Sequence, residues 1–408
     1  MRLGTSLRTR TAGDTIARCR TLAQPLGIAQ VTDITALDVL GLPVFVSLRP
    51  DGCTSRIHAG KGLCAADAEA GAWMEAFECA VAERDSATAA YAPLRLGELA
   101  ARLPGGLSLA DFAPRLGVPL DAHRTLQALR CEDLMSLQRP LLPAELVALP
   151  APPDESGQPA LFGWSSNGLA SGNTLEEATL HALMEVLERD TLAMSTVRGT
   201  EVVVDPLTLP QALAAHAARW QRQGITLFVR QLPGDFDLPC FEATLYQPGH
   251  ARCELARGWG LHFDREVALA RAVCEAAQSR LCQIHSQQED VAPLYGARIR
   301  VDSAVAVQAR ARFRSGLAQT AQSAGVDFRA LPDVQHTSIA AALGDLLARL
   351  RARGFAQAFR YDMGSDAAAE AGLHAVKVIV PRCETLLGDR RRAGPRLMGA
   401  AAERSQAA

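Results

Sequence analysis

The sequence predicts a globular fold that mixes helices with strands, and three observations carry that expectation. Stretches at about 64–84, 174–196 and 264–288 are long, helically patterned and poor in Gly and Pro. Residues 28–49 and 375–381 hold short β-type runs. A composition of 48% hydrophobic and 21% charged residues belongs to a chain that buries a core, which excludes disordered, collagen-like and low-complexity classes. At 408 residues the length suits two to three domains, or one large domain with insertions.

From the N-terminus, Met1 to Thr15 carries arginines and threonines but no apolar run of signal-peptide length. No later window is long and apolar enough to span a membrane, and a cytoplasmic location is expected. Pro43-Val-Phe-Val-Ser-Leu-Arg49, bounded by Gly41 and the Pro50-Asp-Gly52 turn, predicts a strand pair within 28–49. Residues 104–159 hold nine of the 22 prolines and predict an irregular excursion. Residues 340–353 form an amphipathic helical pattern, and Ala375-Val-Lys-Val-Ile-Val-Pro381 reads as a buried strand stopped by proline. From Arg390 onward the tail is polar and expected to fray.

The formal charge of −2, from 42 Lys and Arg against 44 Asp and Glu, offers no field that would attract nucleic acid or an anionic membrane. Ten cysteines without a Cys-x-x-Cys pair read as small core residues of a reduced compartment. Lys61 and Lys377 are the only lysines among the 42 basic residues. Codon bias accounts for such a skew, yet a lysine kept against it points to a contact that a planar guanidinium cannot replace.

Three helices carry charge in apolar surroundings. In Ala72-Trp-Met-Glu-Ala-Phe-Glu-Cys-Ala-Val-Ala82 only Glu75 and Glu78 are polar, and their spacing puts both on one face. Either they lie on a narrow solvated stripe or they are buried opposite a cation, because an unpaired buried carboxylate costs several kcal/mol or takes up a proton. Ala178 to Arg189 repeats the pattern with Glu185 and Glu188. Val267 to Ala277 has only Arg271 and Glu275, whose separation also fits a helical ion pair in the weaker order. The recurrence favours a shared polar site.

Carboxylates with few His or Cys neighbours suit hard cations, and Mg²⁺ is commonly held by a few carboxylates together with phosphates and water, which implies a nucleotide. No His/Cys set has zinc spacing. A di-iron reading lacks Glu-x-x-His, although His181 lies four residues before Glu185. Gly60-Lys-Gly62 is not a P-loop, since Ser55 stands where the first glycine belongs. In Ser165-Ser-Asn-Gly-Leu-Ala-Ser-Gly-Asn-Thr174, Asn167 and Asn173 bring amides to a helix N-terminus suited to phosphate, while Thr174 and Glu177 fit a capping box.

These pieces resemble the YcaO family of ATP-dependent enzymes. The similar segments are Gly60-Lys-Gly62 leading to Glu75-Ala-Phe-Glu78, Ser166-Asn-Gly168 with Gly172-Asn173, Glu185-Val-Leu-Glu-Arg189, and Arg271-Ala-Val-Cys-Glu-Ala-Ala-Gln278. Leu37-Asp38, Gly41-Leu-Pro43 and Val376-Lys-Val-Ile-Val-Pro381 look like flanking segments. The resemblance implies one α+β domain over 1–389, with carboxylate helices packed on β-sheet around ATP and Mg²⁺. It implies O-phosphorylation of a peptide backbone amide for attack by a nucleophile, giving a thioamide or an azoline in a ribosomally made peptide or a protein. Glu75, Glu78, Glu188 and Glu275 are the implied metal carboxylates, and Lys61, Asn167, Asn173, Glu177, Glu185, Arg189 and Arg271 the implied nucleotide contacts. Glu188, Arg189, Arg271 and Glu275 are the implied catalytic set.

The family's N-terminal nucleotide-contacting lysine has no counterpart here, where Arg8 and Arg10 are the nearby cations and Thr15 the nearby hydroxyl. The proline-rich C-terminus of azoline-forming members is also missing, and the tail is similar to that of members working with a separate TfuA protein in thioamide formation. A TfuA-like or other peptide-delivering partner and a homodimer are therefore expected. The competing readings are a carboxylate-bridged metal oxidase or hydrolase and an inactive, peptide-binding scaffold of the same fold.

Overall fold

A computed structural model describes residues 2–3, 6–153, 157–295, 304–322, 325–364, 366–386 and 392–407. Helix α1 (Ala12–Thr21) starts where the Thr11 hydroxyl accepts from the Asp14 amide at 3.1 Å. Strands β1 (Gln30–Asp33), β2 (Val44–Leu48) and β3 (Ile57–Lys61) form an antiparallel sheet, so the expected strand pair gains a third member. The chain then enters α2 (Ala65–Thr88), which lies back across β3. Gly60 permits this approach, because a Cβ there would sit 2.1 Å from the Ala68 carbonyl oxygen and the Ala72 amide nitrogen.

The stretch at 104–159 is less irregular than its prolines predict. Ala92–Arg95, Thr125–Arg130 and Leu141–Pro143 pair into an antiparallel sheet over a core that includes Leu96, Phe112, Leu126, Leu142 and Phe162. Pro104 opens a short 3-10 helix and Pro143 ends the last strand, positions that tolerate the missing donor. Residues 154–156 of the proline-rich run lie outside the described residues.

Strand β4 (Leu169–Gly172) leads into α3 (Leu175–Arg198). Val202–Val203, β5 (Thr226–Gln231), β6 (Cys240–Tyr246) and β7 (Leu255–Leu261) form a four-stranded antiparallel sheet in that order, termed the second sheet. Then come α4 (Arg265–His285), α5 (Ala304–Gln322) and α6 (Ile339–Ala352). Strands β8 (Phe359–Asp362) and β9 (His374–Ile379) close a further sheet, in which β9 pairs with both β4 and β8, and β8 with Glu132–Asp133.

The last described segment corrects the expectation of a frayed tail. Helix α7 (Pro395–Ala407) buries Leu397 and Ala400 against Ala193 and Met194 of α3. Arg396 fixes its start, reaching Asp190 and Asp235 at 2.6 Å each. Ala-rich sequence with one leucine reads as polar tail in isolation, and only the waiting apolar patch on α3 orders it.

Three strand-then-helix units, β3–α2, β4–α3 and β7–α4, share one device. Gly172 would place a Cβ 2.4 Å from the Ala178 amide, and Gly258 and Gly260 would each place one 2.2 Å from α4 backbone. Glycine lets each helix press onto the strand before it and turn its charged face the other way. No helix among the described residues is long and apolar enough to cross a membrane.

Candidate active site

The charged faces of α2, α3 and α4 converge on one cavity of about 1490 Å³. Its lining includes Glu75 and Glu78 from α2, Glu185, Glu188 and Arg189 from α3, and Arg271 and Glu275 from α4, with Lys61 and Asn173 from the strand ends. Arg8, Arg10 and Thr15 of the N-terminal segment also line it, where the sequence lacks the expected lysine.

Each carboxylate is held differently. Glu75 accepts from the Ala59 amide at 3.2 Å, Glu78 from the Ser171 hydroxyl at 3.2 Å, and Glu185 from the Gly168 amide at 3.3 Å. Glu188 accepts from the Leu261 amide at 3.0 Å and lies 3.1 Å from Arg189. Glu275 is bound at 2.6 Å by the Lys61 ammonium. Two of the four expected metal carboxylates, Glu188 and Glu275, therefore already face cations of the chain.

Glu75, Glu78 and Glu185 do not share that neutralisation. Burial, with Glu185 and Glu75 nearby, pushes the Glu78 carboxyl well above its ordinary range. Burial also raises Glu185, against the pull of Arg189. Burial pushes Glu75 up to about 7, with Lys61 and the Ala59 amide opposing and Glu185 and Glu275 adding to it. Glu75 opens onto the cavity, so water there screens part of the push. Glu275, by contrast, is held below the ordinary range, because Lys61 and Arg189 outweigh its burial.

The sequence marked Lys377 by its rarity and by its place in a buried-strand segment, but not as a site residue, and the structure puts it behind this cluster. It is 2% exposed, donates to the Ser165 carbonyl oxygen and is drawn down to about 8 by burial, Glu185 and Glu78 working in the other direction. Its strand position opposite Leu169 sets it beside the loop whose Gly168 amide holds Glu185.

Two expected nucleotide contacts do not line the cavity. Glu177 is fully buried and anchors the N-terminal segment, receiving Arg8 at 3.1 Å, the Thr9 amide at 3.0 Å, the Thr9 hydroxyl at 2.6 Å and Asn173 at 3.2 Å. Arg8 and His181 lower its carboxyl to about 2 despite burial. The capping box is thus half formed: Thr174 accepts from the Glu177 amide at 3.1 Å, but the Glu177 carboxylate is spent elsewhere. Asn167 is half-buried, and its Oδ1 is buried without a hydrogen-bond partner among the described residues. Asn173 does line the cavity, taking the Thr15 hydroxyl at 3.1 Å. Both His181 nitrogens are engaged, by Arg8 at 2.8 Å and Ser6 at 2.9 Å, which removes the histidine a di-iron centre would need.

The residues fit a nucleotide with a hard cation. Crowded oxygen donors raised by burial and by their mutual repulsion favour a divalent ion among them, and the Arg271 Nε, buried at the cavity without a hydrogen-bond partner among the described residues, favours an anion nearby. No three His, Cys, Asp or Glu side chains among the described residues already form a metal cage. Mg²⁺ does not require one, since phosphates and water complete its shell.

One expected result follows from Glu75. Its folded-state value exceeds that of the unfolded chain, so the associated stability is complete below about pH 4.5 and is lost as pH rises through about 7. Melting temperature of the metal-free protein should fall across that window. Millimolar Mg²⁺ or Glu75→Gln should flatten the slope, and an unchanged slope in the variant would count against this charge crowding.

Comparison with known proteins finds relatives in sequence and in fold. The sequence model of a family described as YcaO cyclodehydratase, ATP- and Mg²⁺-binding, matches residues 59–384. A Rhizobium leguminosarum bv. trifolii protein named for its position in the tfuA 3' region is 32% identical over 312 residues, 73% of this chain and 72% of its own. YcaO from Methanopyrus kandleri, solved bound with AMPPCP and Mg²⁺, is similar with a TM-score of 0.73, 21% identity and 97% of both chains covered. A heterocyclase solved in complex with substrate and cofactor gives a TM-score of 0.75 at 20% identity over 95% of this chain, which spans 54% of the heterocyclase.

Proposed function

The chain belongs to the YcaO family, and on that premise we propose that it uses ATP and Mg²⁺ to activate a backbone amide of a peptide or protein, with a thioamide as the product. The observation that carries this is the meeting of carboxylates from three glycine-seated helices with Lys61, Arg189 and Arg271 in one cavity. When bound, ATP with Mg²⁺ supplies the phosphoryl group that turns a poor amide leaving group into phosphate.

The chain's own residues supply the rest. Glu75, Glu78 and Glu188 would hold the divalent ion with their oxygen donors, and Glu275, bound here by Lys61, would stand beside them. Arg271 and Arg189 stabilise negative charge as it develops on the transferring group. Glu185 orients the Gly168 turn through its hydrogen bond to that amide, and Lys377 fixes the turn from behind. Glu177 acts indirectly, by holding Arg8 and Asn173 at the rim.

Sulfide is the nucleophile we favour, supported by the likeness to a protein named for its position in the tfuA 3' region. A TfuA-like partner would deliver sulfide or peptide to a homodimer of this chain. The test incubates the protein with peptide, ATP, Mg²⁺, sulfide and that partner. A thioamide adds about 16 Da, whereas ring closure by a side chain removes about 18 Da, and both need the activated oxygen. Neither shift, with ATP consumed only at background rate, would defeat the proposal.

A further inference from the structure

The cavity has a second wall that the carboxylate helices do not build. In the second sheet, Phe241, Ala243 and Leu245 belong to the core with Val229, Ala256 and α4 residues. Alternation of side chains sends Glu242 and Thr244 of β6, Arg257 and Trp259 of β7, and Arg230 of β5 to the opposite face. Of these, Arg230, Glu242, Arg257 and Trp259 line the cavity. Helix α5 covers the outer end: Phe313 packs 5.4 Å from Phe228 and 5.2 Å from Tyr246, and Arg310 and Arg312 line the cavity beside it.

This wall starts at the chemistry and runs away from it. The Leu261 amide holds Glu188, and Arg257 lies four residues back along the same strand, about 13 Å away at roughly 3.3 Å per residue. Leu255 is about 20 Å away by the same rise, a distance spanned by an extended peptide of about six residues. A cavity of about 1490 Å³ also exceeds the roughly 300–1,000 Å³ of an ordinary small-molecule site, leaving room beyond a nucleotide.

The charge of the wall selects its occupant. Arg230, Arg257, Arg310 and Arg312 line the cavity with Glu201 and Glu242, and Glu242 is already engaged by the Trp259 indole at 3.3 Å and lies 3.9 Å from Arg257. The carboxylate end has its own cations in Lys61, Arg189 and Arg271. We propose that this arginine-rich wall binds the peptide substrate along the second sheet and selects a segment with acidic side chains next to the amide that is modified. The inference rests on the amide-activating reading and adds the substrate class.

The test uses the full chain and three fluorescein-labelled decapeptides that share a Cys-Gly centre and differ only in Glu, Gln or Lys flanks. Anisotropy measured with and without AMPPCP and Mg²⁺ should show the Glu peptide bound about tenfold more tightly than the Gln peptide at low salt, the gap closing at high salt. Arg312→Glu, on the exposed face of α5, should reverse the order between the Glu and Lys peptides. Arg230→Gln with Arg312→Gln should erase the preference while calorimetry shows unchanged AMPPCP affinity. Equal binding of the Glu and Gln peptides, or an Arg312→Glu protein that keeps the wild-type order, overturns the inference. So does loss of AMPPCP affinity in the double variant, which would assign these arginines to phosphate. Loss of AMPPCP binding by the wild type with the charge preference intact would instead count against the proposed reaction alone.

Discussion

Glu188→Gln is expected to lower product formation by about a hundredfold to a thousandfold or more, the range for removing one preorganised charge-stabilising group, without unfolding the protein. The residue is 3% exposed, so its substitution must be judged by volume and hydrogen bonding together. Glutamine fills the same space and keeps an oxygen for the Leu261 amide, which holds the present carboxylate at 3.0 Å. It loses the anion facing Arg189 at 3.1 Å, and its NH₂ group then meets another donor. Arg189 is released toward Glu185, and with one negative charge fewer among five glutamates the melting temperature should stay within a few degrees or rise. Phosphate release and peptide mass read the activity, and circular dichroism reads the fold. Turnover at the wild-type rate would make Glu188 a structural residue.

Much of this site was legible because its signal is local. Two carboxylates three residues apart on an apolar helix lie on one face whatever the rest of the chain does, and α2 and α3 place Glu75, Glu78, Glu185 and Glu188 accordingly. The strand patterns at 44–48 and 374–379 were equally local, being short apolar runs bounded by turn residues. What stayed hidden depends on distant contacts. Glu177 is set apart from the cavity by Arg8 and Thr9, about 170 residues away in sequence, and Glu275 is claimed by Lys61, 214 residues away. The second sheet's Arg230, Glu242 and Trp259 come from three strands and become neighbours only through their register. The C-terminal helix likewise owes its order to a patch on α3, not to its own composition.

Gly258 provides the sharpest link between packing and chemistry, and Gly258→Ala should cost both. Its added methyl would lie 2.2 Å from the Ala276 amide nitrogen, 2.3 Å from the Ala272 carbonyl oxygen and 2.6 Å from the Glu275 carbonyl carbon. All three are helix backbone, so no side chain can swing aside, and α4 must lift from β7 by about an ångström or more. Overpacking of this kind destabilises by about 1–3 kcal/mol, and a displacement near 1 Å at reacting groups can lower the rate about a hundredfold. Arg271 and Glu275 ride on the displaced helix, and Glu275 would be drawn from Lys61, whose ammonium it meets at 2.6 Å. Activity should therefore fall further than stability accounts for, even at temperatures where the variant is fully folded. Gly344→Ala is the control: it is exposed within α6 with nothing within 4 Å of the added methyl, and better helix propensity should stabilise the protein by about 0.5–1 kcal/mol with kcat unchanged. If Gly258→Ala matched the wild type in both melting temperature and turnover, the close seat of α4 on β7 would not be what aims Arg271 and Glu275 into the cavity.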